Sequence, residues 1–317
     1  MPSEKGSSMI YRELPNPIIC VDQKCTLDLY VRIKNDYRLF AARGAVFTLE
    51  HSRLFRANNI NLYIKAKDHE TAEKHLNSYL TDILTDPQVD PKAKADIVYT
   101  ASVQSLRRIF QGMNKEAIAE LEKTSENIAK TILADKRVIQ ELIKINSHDH
   151  FIYTHSVKVG IYGTALCINL FGDRISEHNI NELSTAFLLH DIGMAKVPNK
   201  ILDKNGPLTK QEWEVFKKHP TWGHDKLMKA RYISKESTAI VLYHHERCNA
   251  KGYPFMKSGR DIPVYAKICA IADTFESLTS LNPRHKSWSP FEALSVMQQE
   301  MSEEFDPNIF KAFIMVL

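Results

Sequence analysis

Leu188-Leu189-His190-Asp191-Ile192-Gly193, followed by Val197-Pro198 and Ile201-Leu202, sets a histidine and an aspartate side by side at the end of an apolar run. Leu183 to Leu189 reads as a buried helix closing at His190-Asp191, with Gly193 where a helix C-terminus favours glycine. Outward from this pair the chain carries His155 upstream, then His219, the adjacent His244-His245 and Asp273 downstream. Neutral imidazole and carboxylate are donors for borderline divalent metals such as iron, manganese, nickel or zinc. A carboxylate in the middle of such a set can bridge two ions. Two ions a few ångströms apart activate water and clamp a phosphoryl group, so hydrolysis of a phosphate ester is the chemistry expected.

His244-His245-Glu246-Arg247 leads through Cys248, Asn249, Ala250 and Lys251 into Gly252-Tyr253-Pro254, and Ile271-Ala272-Asp273 follows. With His219-Pro220 in order between the two segments, the stretch from about Asp149 to Phe305-Asp306-Pro307 resembles the HD-GYP family of metal-dependent phosphohydrolases. The resemblance implies a mainly α fold, an all-helical HD-type metal-binding bundle, and hydrolysis of the bacterial messenger cyclic di-GMP. It implies two divalent ions, iron first among the compatible metals. By the same resemblance, His155, His190, Asp191 and Asp273 should hold one ion, and Asp191, His219, His244 and His245 the other. Asp191 bridges, and it forms the catalytic pair with His190. The Gly252-Tyr253-Pro254 loop is expected to meet partner proteins, including the diguanylate cyclases (GGDEF proteins) that make cyclic di-GMP. Glu246 reads as a support for its neighbours rather than a ligand.

Three positions depart from the family pattern. Phe151 stands where some members place a glutamate for a third metal, so two ions are expected. Met194 replaces a lysine, and Asn282 an arginine, that would hold a substrate phosphate by charge-assisted bonds. Lys196, Arg284, Arg247 and Lys251 are the neighbouring cations available to bind substrate in their place. Slow hydrolysis of cyclic di-GMP is therefore expected, with Met194→Lys raising it. The rival reading is a signalling protein of low or no activity that binds metal and nucleotide and docks partners. A third is a hydrolase of another cyclic dinucleotide or a phosphomonoester.

Composition is that of an ordinary globular chain of 317 residues, 44% hydrophobic and 25% charged. A net charge of +4 helps attract an anionic nucleotide but falls short of the basic bias of polymer nucleic-acid binders. Five cysteines with no CxxC pair fit free thiols in a reducing compartment, with Cys20 and Cys25 as small buried hydrophobes. Met1 to Ser8 lacks a signal-peptide core and no run is long enough to span a bilayer, so a cytoplasmic protein without a membrane role is expected.

Alternation over Leu27 to Ile33 and Leu62 to Ala66 predicts half-buried strands, and Asp68 to Leu84 has helical spacing. Residues 1–88 therefore read as a small α/β regulatory or sensor domain, ended by the turn-rich Asp86-Pro87 and Asp90-Pro91. Residues 89–146 read as a helical connector on the catalytic core, or in part as a homodimer contact, and residues 147–317 as the catalytic domain. Thr209 to Glu212 is a capping-box pattern opening a helix that ends at His219-Pro220. Asp261 and Pro263 read as the cap and first turn of the helix bearing Asp273. His51, His69 and His75 are assigned as hydrogen-bonded structural histidines.

Overall fold

Period-two alternation at Leu62–Lys65 sends Leu62 and Ile64 into a core while Tyr63 and Lys65 stay half-buried. This strand pairs antiparallel with two others. The computed structural model describes residues 11–14, 23–25, 27–34, 36–48, 50–51, 54–55, 58, 60–68, 80–81, 83–145, 151–230, 232–280 and 287–317. Within these the chain divides into two units, Met1–Val89 and Asp90–Leu317.

The first unit contains β1 (Tyr11–Leu14), β2 (Gln23–Lys24), β3 (Leu29–Ile33), β4 (Asp36–Ala41), β5 (Val46–Phe47) and β6 (Leu62–Lys65). A four-stranded sheet runs in the order β1-β6-β3-β4, and β2 pairs with β5. Tyr30 faces Tyr63 and Val31 faces Leu62 across the antiparallel β3–β6 pair. Leu29, Ala41, Leu62 and Ile64 bury one face with Phe47, Phe55 and Cys25. The strand expected at Leu27 to Ile33 begins two residues later. His51 is half-buried, and its Nδ1 accepts from the Thr48 N–H at 3.2 Å. Cys20, His69, His75 and most of the helix expected from Asp68 lie outside the described residues.

The second unit is helical. Its elements are α1 (Pro91–Gln111), α2 (Lys115–Ala134), α3 (Arg137–Lys144), α4 (Phe151–Phe171), α5 (Ile180–Leu188) and the short α6 (Asn199–Leu202). There follow α7 (Lys210–Phe216), α8 (His219–Ala230), α9 (Lys235–Tyr243), α10 (Val264–Thr279), α11 (Pro290–Gln299) and α12 (Pro307–Ile314). Asp90 caps α1 ahead of Pro91, and Asn114 caps α2 by accepting from the Ala117 N–H. Helix α4 runs through the middle, against α5 on one side and α10 on another. Phe187, Phe275 and Phe313 are wholly buried there with Tyr162 and Ile271. Each such phenylalanine contributes on the order of 1.5–3 kcal/mol from burial alone. This core holds α5 and α10 against α4, α9 packs on α5 and α10, and α8 packs on α9 and on the turn after Asp191.

Candidate metal centre

One local device recurs three times around Asp191. His190 Nδ1 donates to the Phe187 carbonyl, His219 Nδ1 to that of Phe216, and His244 Nδ1 to that of Val241, each at 2.9 Å. Each acceptor lies three residues upstream, among the last carbonyls of α5, α7 and α9, where the regular helix ladder runs out. A carbonyl can only accept, so each Nδ1 carries the proton and each Nε2 presents a bare lone pair. His219 therefore closes α7, as its sequence position predicts, and also opens α8.

The bare nitrogens converge. His219 Nε2 lies 3.1 Å from Asp191 Oδ1 and 3.3 Å from His244 Nε2, and His244 Nε2 lies 3.6 Å from the same Asp191 oxygen. On the other side His155 Nε2, near the start of α4, is 3.2 Å from His190 Nε2. It is also 3.2 Å from Asp273 Oδ1 and 3.7 Å from Asp191 Oδ2. His245 Nδ1 is 3.6 Å from Asp273 Oδ2. The donor atoms of Asp191, His219, His244 and His245 lie within 4.8 Å of one another, as do those of His155, His190 and Asp191. The structure thus brings all seven expected residues into one buried cluster whose two groups share Asp191.

The unprotonated Nε2 atoms of His219 and His244 face each other and repel, and Asp191 Oδ1 is buried without a hydrogen-bond donor. Both features suit a cation among these atoms. Burial opposes the charge on Asp191, but His190 and His219 hold its carboxyl well below the usual range, and His155 does the same for Asp273. Burial keeps His190 neutral, with its pKa down at about 4. Burial also disfavours a proton on His155, yet Glu276 and Asp273 outweigh it and push that pKa well up. Buried ionised carboxylates set among imidazole nitrogens are a divalent-cation donor set.

Glu276 was not among the sequence candidates, nor was the buried Lys158 beside it. Their signal was positional: Glu276 lies one helical turn after Asp273, and Lys158 one turn after His155, each on the same face as its neighbour.

Several expected roles change. Arg247, expected among the substrate cations, is engaged internally: Nε donates to Glu304, Nη1 to the carbonyls of His244 and Glu246, and Nη2 to Thr274. Lys196 and Lys251 are exposed, while Asn282, Arg284 and the side chain of Phe151 lie outside the described residues. Met194 packs with Val197 and Ile201 in an apolar cluster. Gly193 does not take a left-handed helix-end conformation. It sits in a 3-10 turn, and a Cβ there would lie 1.9 Å from the His219 carbonyl oxygen. Asp261 does not cap α10; it accepts from Ser258 Oγ at 2.6 Å, and Pro263 occupies the cap position.

The Gly252-Tyr253-Pro254 segment turns inward. Gly252 is buried, and a Cβ on it would meet the Arg247 nitrogen at 2.4 Å. Tyr253 stacks on His245 with ring centroids 4.6 Å apart and meets Trp213 edge-on at 5.8 Å. Glu246, 1% exposed, accepts from the Phe255 and Lys257 N–H groups at 2.7 and 2.8 Å, which fixes the loop onto the histidine pair. Phe255 and Met256, 53% and 68% exposed, form the outward tip.

Helix ends that deliver histidine and aspartate to one buried point define a helical metal-binding class of protein. The family profile described as HD domain matches residues 140–309, more than half of the chain, and the chain belongs to that family. It is 33% identical over 189 residues to a cyclic di-GMP phosphodiesterase of Pseudomonas aeruginosa, covering 60% of this chain and 45% of that protein. A cyclic di-GMP phosphodiesterase response regulator of Xanthomonas campestris is 35% identical over 142 residues, or 44% of this chain and 37% of the relative. A 3'3'-cGAMP-specific phosphodiesterase of Vibrio cholerae is 25% identical over 232 residues, 71% of this chain and 44% of the relative. The chain thus spans less than half the length of each of these relatives. Among solved structures, an HDG"Y"P protein of Bdellovibrio bacteriovorus shares the fold, with a TM-score of 0.67 at 19% identity over 97% of this chain and 99% of that one. No helix among the described residues is long and apolar enough to cross a membrane.

Proposed function

We propose that this chain is a metal-dependent phosphodiesterase of cyclic dinucleotides, cyclic di-GMP first, working through a dinuclear centre with slow turnover. The observation that carries this reading is the pair of donor groups sharing Asp191. His155, His190, Asp191 and Asp273 would hold one divalent ion, and Asp191, His219, His244 and His245 the other, with iron the first candidate. Such ions supply a nucleophile from water at neutral pH and neutralise charge gathering on the phosphoryl oxygens. The chain's own part is orientation. Backbone carbonyls fix three imidazoles in one tautomer, and Asp191 directs one oxygen to each donor group. Tyr253, stacked on His245, shields that ring from water. Hydrolysis opens the ring to the linear dinucleotide. Residues 1–88 act as the regulatory part in this reading, and Phe255 and Met256, rather than Tyr253, carry any docking of a partner such as a diguanylate cyclase.

A second reading, a signalling protein of low activity, draws on two positions beside the site. Arg247 is engaged within the protein, and Met194 is buried among apolar side chains. One experiment separates the two. The purified chain, reloaded with Fe2+ or Mn2+ without oxygen, is incubated with cyclic di-GMP or 3'3'-cGAMP, and products are identified by mass spectrometry. Linear dinucleotide or mononucleotide supports the enzyme. Intact substrate with both ions bound sinks it in favour of the signalling protein.

A further inference from the structure

The histidines of the centre are not held alike. His190, His219 and His244 rest their Nδ1 on neutral peptide carbonyls. His155 does not: its Nδ1 meets Glu276 Oε2 at 2.5 Å, across a buried contact between α4 and α10. Glu276 is 1% exposed and is itself held from two further sides. Ser280 Oγ donates to its Oε1, and Lys158 Nζ lies 4.0 Å from the same oxygen. Asp273 and Glu276, one turn apart on α10, therefore address opposite edges of one imidazole: Asp273 at Nε2 and Glu276 at Nδ1.

An imidazole N–H that donates to a carboxylate leaves more electron density on the opposite nitrogen than one that donates to an amide. Such a partner raises the basicity of a metal-ligating histidine. The surrounding charge is unequal in the same sense. The His155 side has Asp191 Oδ2, Asp273 and, behind the ring, Glu276. The His219 side has three imidazoles and the shared Asp191, with Asp273 reaching only its outer member, Oδ2 lying 3.6 Å from His245 Nδ1. Among the described residues it has no carboxylate like Glu276 behind a ring.

We infer that Glu276 is a positioning residue that makes the His155 half of the centre the tighter metal position, filled first. The inference rests on the dinuclear reading above and adds an order to it. Lys158 moderates Glu276 so that an uncoordinated carboxylate can remain buried beside the cluster.

The test is a metal titration of the full-length chain after metal removal, followed by calorimetry with Mn2+. Anomalous scattering from crystals given less than one equivalent locates the first ion. Wild type should bind in two resolved steps, with the first density beside His155. Glu276→Gln keeps the shape and removes the charge, and should weaken the first step by about 10- to 100-fold while leaving the second unchanged. A structural role alone would weaken both steps together. Glu276→Asp, which withdraws the carboxylate by one methylene, should weaken the same step and serves as the comparison should the Gln variant not fold. First density beside His244, or a Gln variant that matches wild type, overturns the inference. A wild-type chain that binds a single ion defeats the dinuclear reading, and the ordering with it. Binding of two ions with Glu276 inert defeats the ordering alone.

Discussion

Asp191 is the residue on which both donor groups depend, one through Oδ1 and the other through Oδ2. Asp191→Asn should leave the purified protein without either metal, whereas His244→Ala should lose chiefly one; elemental analysis of the two variants checks this. Two ions lost equally from both would show that the groups do not partition as drawn. Met194 is the residue whose expectation reverses. Its place with Val197 and Ile201 means that Met194→Lys would bury an ammonium among apolar side chains. The substitution should cost about 1–3 kcal/mol of stability rather than raise turnover; thermal unfolding and product assays on one sample check both parts. The clustering of the seven expected residues was legible in the sequence from the whole ordered set, since a His-Asp pair alone is a weak signal and His155, His219 and Asp273 stand in no adjacent pair. Glu276 was not singled out, because its place one turn after Asp273 shows a common helix face but not that the face is buried. Arg247 misled for a related reason: sequence shows that a cation is near the site, not that Glu304 and three other acceptors already engage it.

At the scale of elements, the turn after Asp191 presses on the start of α8. A Cβ on Gly193 would lie 1.9 Å from the His219 oxygen and 2.6 Å from the Gly223 nitrogen, both backbone atoms that cannot rotate away. Gly193→Ala should therefore destabilise the protein by about 1–3 kcal/mol and displace His219. A lowered melting temperature together with reduced metal content is the expected result. Glu182 ties α5 to α9, accepting from the Ser234 N–H at 2.7 Å, where Ser234 caps α9. Partial burial opposes its charge, but the Ser234 bonds dominate and hold its carboxyl below the usual glutamate range. A folded pKa below the unfolded one gives stability that is present above the unfolded value, about 4.3, and fades as pH falls through the folded value. Glu182→Gln should flatten that acid-side loss while costing ~1 kcal/mol or less at neutral pH, after allowance for solvent screening. Chemical unfolding from pH 7 down to about 3 is the measurement. Helix starts were well legible here: Thr209 and Glu212 form the reciprocal capping box that their spacing predicts. Gly193 was misread because a glycine demanded by a neighbouring backbone looks, in one dimension, like a glycine demanded by a helix end.

For the whole molecule, the division at Val89 and Asp90 leaves every one of the seven clustered donors in the second unit. A fragment of residues 90–317 should fold and retain its metals, as circular dichroism and metal analysis would report. An unfolded or metal-free fragment would show that the first unit is part of the catalytic body rather than a regulator of it. The helical class of this larger unit was legible from the periodicity of its apolar residues; the arrangement that lets distant helix ends meet was not, since it depends on packing around α4. The rings tied to carbonyls at the ends of α5, α7 and α9 have a further consequence. Each imidazole is a pointer fixed to the helix end just upstream of it and cannot swivel to compensate when that helix moves. A spectroscopically visible ion placed in the centre, such as Co2+, would thus act as a built-in strain gauge. Its absorption bands would shift when the end of α7 slides against α9, and would report a conformational signal without any attached label.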